Sequence, residues 1–403
     1  MSETGFPLSA NVPMAAGWSD ALWSGLLRRV AGQVRRGHLT LHLPDRAPVT
    51  VGDGSGPAIT LAVHRPAVAR RLLAGGDLGL AEAYLDGWWD CDDLTGLLLL
   101  GLRNEAALAD RISGWAPHGW INRLIHRRNA NTKRGSRRNI AFHYDLGNDF
   151  YRAWLDAGMM YSSALYQDPA DSLEQAQAAK LARAAELMQM QPGLSVLEIG
   201  CGWGGMAEIL ADGWGVQPVC LTLSAEQRAY AMARLGDRAE VRLQDYRDVT
   251  GQFDRIVSLE MIEAVGEEHW PRYFATLRDR LRPGGSAVLQ AIMIEDRRFD
   301  SYRRGCDFIQ RYVFPGGMLP SPAAIRDQAA RAGLVVEHAE TFGDSYALTL
   351  AEWRRRFVKA WPTLSKLGFD ERFRRLWTYY LCYCEAGFRA GAIDVGFWRL
   401  RRP

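Results

Sequence analysis

The spacing of hydrophobic positions changes part-way along the chain. In the first part, Leu22, Trp23, Leu26, Leu27, Val30 and Val34 recur every three or four residues, which predicts a helix with Ser19 as its N-cap. Short alternating stretches at 39–43 and 60–63 flank a glycine-rich run at 52–57 and predict a hairpin or a small sheet. Residues 67–75 have helical periodicity again. The first 15 residues read as a flexible tail, and residues 1–115 together predict a small α+β domain.

From Ile140 the pattern alternates between strand and helix. Residues 172–190 form an amphipathic helical stretch led by Asp171 or Ser172 as N-cap. Apolar runs at 194–199, 217–223, 240–243, 255–259 and 286–291 predict strands separated by helices. Such alternation predicts an α/β fold with a doubly wound, mostly parallel sheet. A long aromatic and basic helix over 371–388 is expected to close the chain. The predicted organisation is an N-terminal domain 1–115, a linker 116–139 and an α/β domain 140–403.

Composition narrows the function. Among 403 residues, 48% are hydrophobic and 24% charged, which suits an ordinary globular protein. Lysine and arginine exceed the acids by only three (49 minus 46), so the total gives no reason to expect nucleic acid as a partner. The balance hides a local cluster: Arg123, Arg127, Arg128, Lys133, Arg134, Arg137 and Arg138 occur with no acid among them. The cluster is either a solvated connector or a contact for anionic lipid head groups, where each cation adds about 1 kcal/mol. The apolar run Leu97–Leu100 with its flanks is far short of the roughly 20 residues that span a bilayer. The first residues lack the basic and apolar regions of a secretory signal. Six cysteines without a C-x-x-C pair give no zinc pattern and fit a reducing cytoplasm. Fourteen tryptophans belong either to a large aromatic core or to pockets and membrane-facing surfaces.

Chemistry enters at Gly200-Cys-Gly-Trp-Gly-Gly205, a G-x-G-x-x-G loop between a predicted strand and a helix. Glu198 precedes it. A carboxylate there would repel a pyrophosphate, but it suits a cofactor that carries an amino group and a sulfonium. The position about 20 residues on, where a dinucleotide fold places its ribose-binding acid, holds Val219–Ser224 with no acid. Asp245, after the third predicted strand, is placed to accept from an adenine amino group. These features favour S-adenosylmethionine over a nicotinamide dinucleotide.

Several blocks in order then identify a resemblance: Gly79-Leu-Ala-Glu-Ala-Tyr-Leu-Asp-Gly-Trp-Trp89, His143-Tyr-Asp-Leu-Gly-Asn-Asp149, Met160-Tyr-Ser-Ser-Ala164, Leu197–Gly205, Leu221–Gln227, Gln244–Asp248, Glu260-Met-Ile-Glu-Ala-Val-Gly266, Tyr312–Ser321 and Phe342–Tyr346. Over roughly residues 58–395 the chain resembles the cyclopropane-fatty-acyl-phospholipid synthases and, more distantly, the mycolic-acid cyclopropane synthases. The resemblance implies a Rossmann-like S-adenosylmethionine-dependent methyltransferase domain. It implies addition of the methyl carbon of S-adenosylmethionine across a double bond of an unsaturated phospholipid acyl chain, by a cytoplasmic enzyme at the inner face of the membrane that can form a homodimer. It assigns Tyr161 and Ser162 to the methionyl end, Gly200 and Gly202 to close backbone approach, Thr222, Leu223 and Gln227 to the ribose, and Asp245 and Tyr246 to the adenine.

It also implies a bound bicarbonate that removes the final proton, held by Glu263, the backbone of Ile292, Tyr346, a cysteine and a histidine. Glu263, Ile292 and Tyr346 match. Ser163 stands where the cysteine is expected, Gln290 where the histidine is expected, and Ala264 replaces a histidine after the glutamate. Serine and glutamine still donate hydrogen bonds, so an anion can still be held. Glu260, three residues before Glu263, would share its face on a helix and is either a second base or a structural carboxylate. Three outcomes stay open at this point: cyclopropane formation as the default product, a methyl- or methylene-branched chain by the same carbocation, or a binding protein without turnover.

Overall fold

The computed structural model describes residues 18–44, 46–112 and 146–403. They belong to two compact units, Met1–Ala116 and Pro117–Pro403. The basic cluster 123–138, Trp115, Trp120 and the start of the His143–Asp149 block lie outside the described residues.

In the first unit, the opening helix runs Trp18–Ala31 and is followed by strands β1 (His38–His42), β2 (Val49–Val51), β3 (Ala58–Val63) and β4 (Trp89–Cys91). Their order is β2-β1-β3-β4. Strand β1 pairs antiparallel with β2 but parallel with β3. The stretches at 39–43 and 60–63 therefore share a small sheet but are not the two arms of a hairpin, because β2 intervenes. Alternation buries Leu39 and Leu41 on one face, and Leu39 joins a cluster with Ile59, Val34 and Leu100. The helix foreseen at 67–75 is Val68–Leu85, longer than predicted, with a kink at Gly76. Helices Leu94–Arg103 and Glu105–Ile112 follow. Buried Asn104 links the helix Leu94–Arg103 to the segment before β1: its Oδ1 accepts from the backbone N–H groups of Arg35 and Arg36, and its Nδ2 donates to the carbonyls of Arg36 and Leu100.

The second unit holds β5 (Val196–Ile199), β6 (Val219–Thr222), β7 (Glu240–Leu243), β8 (Phe253–Leu259), β9 (Leu281–Ile294), β10 (Val335–Thr341) and β11 (Ile393–Arg401), ordered β10-β11-β9-β8-β5-β6-β7. Strands β5 to β9 pair parallel, and β10 and β11 add antiparallel at the β9 edge. Strand β5 is buried at all four residues, as a central parallel strand covered on both faces should be. The amphipathic helix expected at 172–190 is Leu173–Met188, capped by a reciprocal Ser172–Gln175 box. The expected terminal helix is Glu371–Arg389, but it does not end the chain: β11 follows, and Trp398 lies on that strand rather than in a helical region. Antiparallel pairing across nine β9 residues holds it there. Among the described residues no helix is long and apolar enough to cross a membrane.

The tryptophans divide accordingly. Trp89, Trp154, Trp270, Trp353 and Trp377 are among the largest fully buried side chains. Trp89 also donates from Nε1 to the carbonyl of Leu80. Replacing it with alanine is expected to cost about 3–5 kcal/mol, read as an earlier urea midpoint. The same change at half-buried Trp88, whose ring is covered by the Arg71 guanidinium at 3.8 Å, should cost distinctly less.

Candidate active site

Strand β5 lies between β6 on one side and β8 on the other. The sheet therefore reverses direction of construction at β5, and a crevice opens beyond its carboxyl end. The loops after β5, β6, β7 and β8 all leave from that edge, which brings together residues far apart in sequence. Gly200 and Gly202 both have positive φ (84° and 53°), which a side chain would strain. A Cβ on Gly202 would point into open space, so its backbone face is accessible. Trp203 is anchored by an Nε1 hydrogen bond to Asn148 Oδ1 at 2.7 Å.

Around this loop the structure brings most of the expected cofactor residues together. Glu198 is buried at the end of β5 beside the Cys220 thiol, and burial pushes its carboxyl up to about 8. Thr222 donates to Gln227 Oε1 at 2.9 Å, and Leu223 follows Thr222 directly. The carboxylate of Asp245 accepts from the backbone N–H, Nε and a terminal nitrogen of Arg247, and both side chains are almost fully buried. The Tyr246 ring packs edge-on against Tyr273 in the core, 5.5 Å between centroids.

The loop 161–164 crosses the same edge. Tyr161 pairs its hydroxyl with that of Tyr380 at 2.9 Å. Ser162 is held from two sides by one helix, its carbonyl by Gln177 Nε2 and its hydroxyl oxygen by Lys180 Nζ at 2.7 Å. The next residue, Ser163, donates its backbone N–H to Glu260 Oε1 at 2.8 Å.

Glu260 gathers a further set of donors. Gln290 Nε2 reaches Oε1 at 2.6 Å, and the Tyr346 hydroxyl donates to Oε2 at 2.8 Å. Glu260 has a left-handed backbone, φ 49°, and Glu263 sits in a separate short 3-10 turn, Ile262–Ala264. The two acids thus do not occupy one helix face, contrary to the sequence expectation. Glu263 Oε1 takes the Ile292 N–H at 2.5 Å, while its Oε2 is buried with no partner among the described residues. Burial and the neighbouring Glu260 charge push Glu263 up to about 8. Burial raises Glu260 too, opposed by its donors and by Lys180. Ser163 turns its hydroxyl to the carbonyl of Ala164, so only its N–H faces the acid.

Lys180 escaped the sequence reading. It is completely buried, and desolvation lowers it to about 8 although Glu260, Asp156 and Glu198 act to raise it. A signal for it exists: Lys180 falls on the same helical stripe as Leu173, Ala176, Ala184 and Leu187, where an apolar residue is expected. Trp154, Trp353 and Tyr380 were also missed. Their rings surround Tyr161, with Trp154 and Trp353 centroids at 5.5 and 5.4 Å, and no periodicity distinguishes such rings from ordinary core.

Residues 131–398 match the family described as mycolic acid cyclopropane synthetase. The chain belongs to this family. It is 41% identical to the tuberculostearic acid methyltransferase UfaA1 of Mycobacterium tuberculosis, over 98% of this chain and 95% of that one. It is 40% identical to the cyclopropane-fatty-acyl-phospholipid synthase of Escherichia coli K12, over 89% and 91% of the two chains. Among solved structures it matches the M. tuberculosis cyclopropane synthase MmaA2 (29% identity, TM-score 0.62, 66% of this chain and 98% of that one). It also matches the mycolic acid cyclopropane synthase CmaA1 complexed with SAH and CTAB, at 28% identity, TM-score 0.62 and the same coverage. The mycolic acid cyclopropane synthetase fold thus carries a Rossmann-like S-adenosylmethionine-dependent methyltransferase of the cyclopropane synthase type.

The residues present fit S-adenosylmethionine. The backbone at Gly202 is open, and Glu198 lies in the strand that leads into the loop. The residues do not fit a bound bicarbonate: the N–H of Ser163, the amide of Gln290 and the hydroxyl of Tyr346 all donate to Glu260, and the N–H of Ile292 donates to Glu263.

The buried carboxyls set a pH dependence. Glu263 and Glu198 hold their protons up to about 8 in the folded chain, against an ordinary 4.5. The folded state therefore binds more protons than the unfolded state between those values. This contribution to stability is full below pH 4.5 and is lost as pH rises through about 8. The expected result is a lower unfolding midpoint at pH 7.5 than at pH 5.5, with the difference smaller in Glu263→Gln.

Proposed function

We propose that the chain transfers the methyl group of S-adenosylmethionine to a cis double bond in an unsaturated phospholipid acyl chain, with cyclopropane as the default product. One observation carries this reading. A continuous run of aromatic rings leads from the glycine loop to the buried acid: Trp203 to Tyr151 (5.2 Å), Tyr151 to Tyr161 (5.3 Å), Tyr161 to Trp353 (5.4 Å) and Trp353 to Tyr346 (6.1 Å). Tyr346 then donates to Glu260. An amine or hydroxyl acceptor needs no such wall. A carbocation does, because ring faces stabilise positive charge and exclude the water that would capture it.

Bound S-adenosylmethionine would supply an electrophilic methyl. The protein's task is alignment and proton removal. Tyr161 and Ser162 hold the methionyl end, Thr222, Leu223 and Gln227 face the ribose, and Asp245 and Tyr246 form the adenine side, with Asp245 sharing its carboxylate with Arg247. An alkene is a weak nucleophile, so most of the rate must come from fixing it against the methyl. The proton to be lost is next to a carbocation and very acidic, so a weak carboxylate base is sufficient.

A second reading is a branched chain: a methyl-branched alkene if the proton leaves a chain carbon, or a methylene branch if a hydride first shifts from the methylated carbon to the cation and the new methyl then loses a proton. The position of Glu260 in the anion cradle favours it, as does the likeness to a tuberculostearic acid methyltransferase. Both products add one CH2, so mass alone does not separate them. NMR of lipid made by purified enzyme from S-adenosylmethionine and a defined unsaturated phospholipid decides: cyclopropane protons support the default, and their absence from an active reaction removes it. Labelled methyl transfer should fall about tenfold or more in Tyr346→Phe with cofactor affinity little changed. Full activity in that variant would exclude a role for the hydroxyl.

The substrate lies in a bilayer, and the basic cluster 123–138 supports a peripheral, cytoplasmic position at the inner face. Binding to vesicles containing anionic lipid should weaken with salt. It should also weaken when Arg127, Arg128, Arg137 and Arg138 are all neutralised. Undiminished binding by that variant would contradict the electrostatic part of the proposal.

A further inference from the structure

Glu260 stands where the family resemblance places a free anion. Its carboxylate takes the Ser163 N–H and the Gln290 amide on Oε1 and the Tyr346 hydroxyl on Oε2. A carboxylate offers about four acceptor positions over two oxygens. Three are used among the described residues, which leaves one on Oε2. The Ile292 N–H is taken by Glu263. A carboxylate and a bicarbonate present the same planar pair of oxygens, and two anions cannot share these donors in a buried site. The substitutions fit that replacement. Gln290 supplies a neutral amide where the resemblance expects a histidine, and Ser163 contributes its N–H alone.

We propose that Glu260 is a covalently attached replacement for the bound bicarbonate: it is the base of the reaction, and the chain needs no bicarbonate for turnover. This rests on the methyl-transfer reading above. In the step, the alkene π pair makes the bond to the methyl carbon, and the electron pair of the broken sulfur–methyl bond stays on sulfur. The second alkene carbon is left positive. Glu260 Oε2 accepts one proton. The electron pair of that C–H bond closes the three-membered ring if the proton came from the new methyl, or forms a carbon–carbon double bond if it came from the chain or, after a hydride shift to the cation, from the methyl. The proton later passes to solvent, so charge and atoms balance.

The surroundings keep Glu260, rather than Glu263, ready to accept. Glu260 has three donors and lies within the influence of buried Lys180, whereas Glu263 has one backbone donor and an unpartnered oxygen. The backbone agrees. A glutamate at φ 49° is strained relative to a relaxed residue, and the three hydrogen bonds offset that strain. Glycine would sit there without it.

The test uses full-length enzyme in buffer stripped of carbon dioxide, with labelled S-adenosylmethionine and vesicles of unsaturated phospholipid. The expected wild-type rate changes less than twofold when bicarbonate is restored. A tenfold or greater stimulation would overturn the proposal while leaving the methyl-transfer reading intact, and absence of any transfer to lipid would sink both. Glu260→Gly, which suits the left-handed backbone, is expected to lose at least 100-fold in rate, the scale of a lost general base. It should recover tenfold or more with added bicarbonate, formate or acetate, which can enter the vacated cradle. Wild-type activity without added anion, or no recovery with any of the three, would refute it. Glu260→Gln fills the cradle and should be inactive without rescue; rescue there would also count against the assignment. Cofactor binding by calorimetry, unchanged in both variants, separates loss of the base from loss of the fold.

Discussion

A carboxylate cannot be buried without donors, and the arrangement around Glu260 follows from meeting that requirement. Its partners come from three places: the Ser163 N–H from the loop before the helix Leu173–Met188, the Gln290 amide from β9, and the Tyr346 hydroxyl from the helix Gly343–Leu364. Losing one leaves a buried charge under-solvated, at about 1–3 kcal/mol or more. The acid therefore ties the helical cover to the sheet edge where the cofactor loop emerges. The same contacts that stabilise the fold would set the geometry of the proposed reaction.

That centre belongs to a wider charge arrangement. Burial raises the pKa of Asp156, Glu198, Glu260 and Glu263 alike, and Lys180 is the cation that acts on the first three. Such a set is expensive in a low-dielectric interior unless some members are neutral. Glu263 and Glu198 meet this by holding protons to about 8. Lys180 also holds the Ser162 hydroxyl, so charge balance and the position of the loop 161–164 depend on one side chain. The aromatic rings around Tyr161 exclude water, which strengthens these interactions and, in the proposed reaction, would protect a cationic intermediate.

The alternating pattern after residue 140 was sufficient for the parallel strands, because a strand covered on both faces must be apolar throughout. It did not reveal β10, whose residues alternate between half-buried and exposed at a sheet edge, nor β11, which follows a strong helix. In the first unit it suggested the sheet but not the parallel pairing of β1 with β3. Pairing direction depends on the path between strands, which period alone does not encode. The cofactor loop was legible because glycine at fixed spacing is required by backbone geometry. Glu260 and Glu263 were legible as residues but not in arrangement. Their separation from one helix face comes from the positive φ at Glu260, and a glutamate gives no sign of adopting one.

The sequence by itself determined the fold class, the cofactor and the family, since each rests on local features: hydrophobic period, the strand–glycine–helix motif and ordered blocks. Only the tertiary structure decided which carboxylate receives the donors of Ser163, Gln290 and Tyr346, and that Lys180 lies buried among the acids. These residues are spread over 184 positions (Ser163 to Tyr346), and they meet only because the strands and helices carrying them converge at one edge of the sheet. Hydrogen-bond satisfaction in a buried site is a property of that convergence, and no residue type or spacing specifies it in advance.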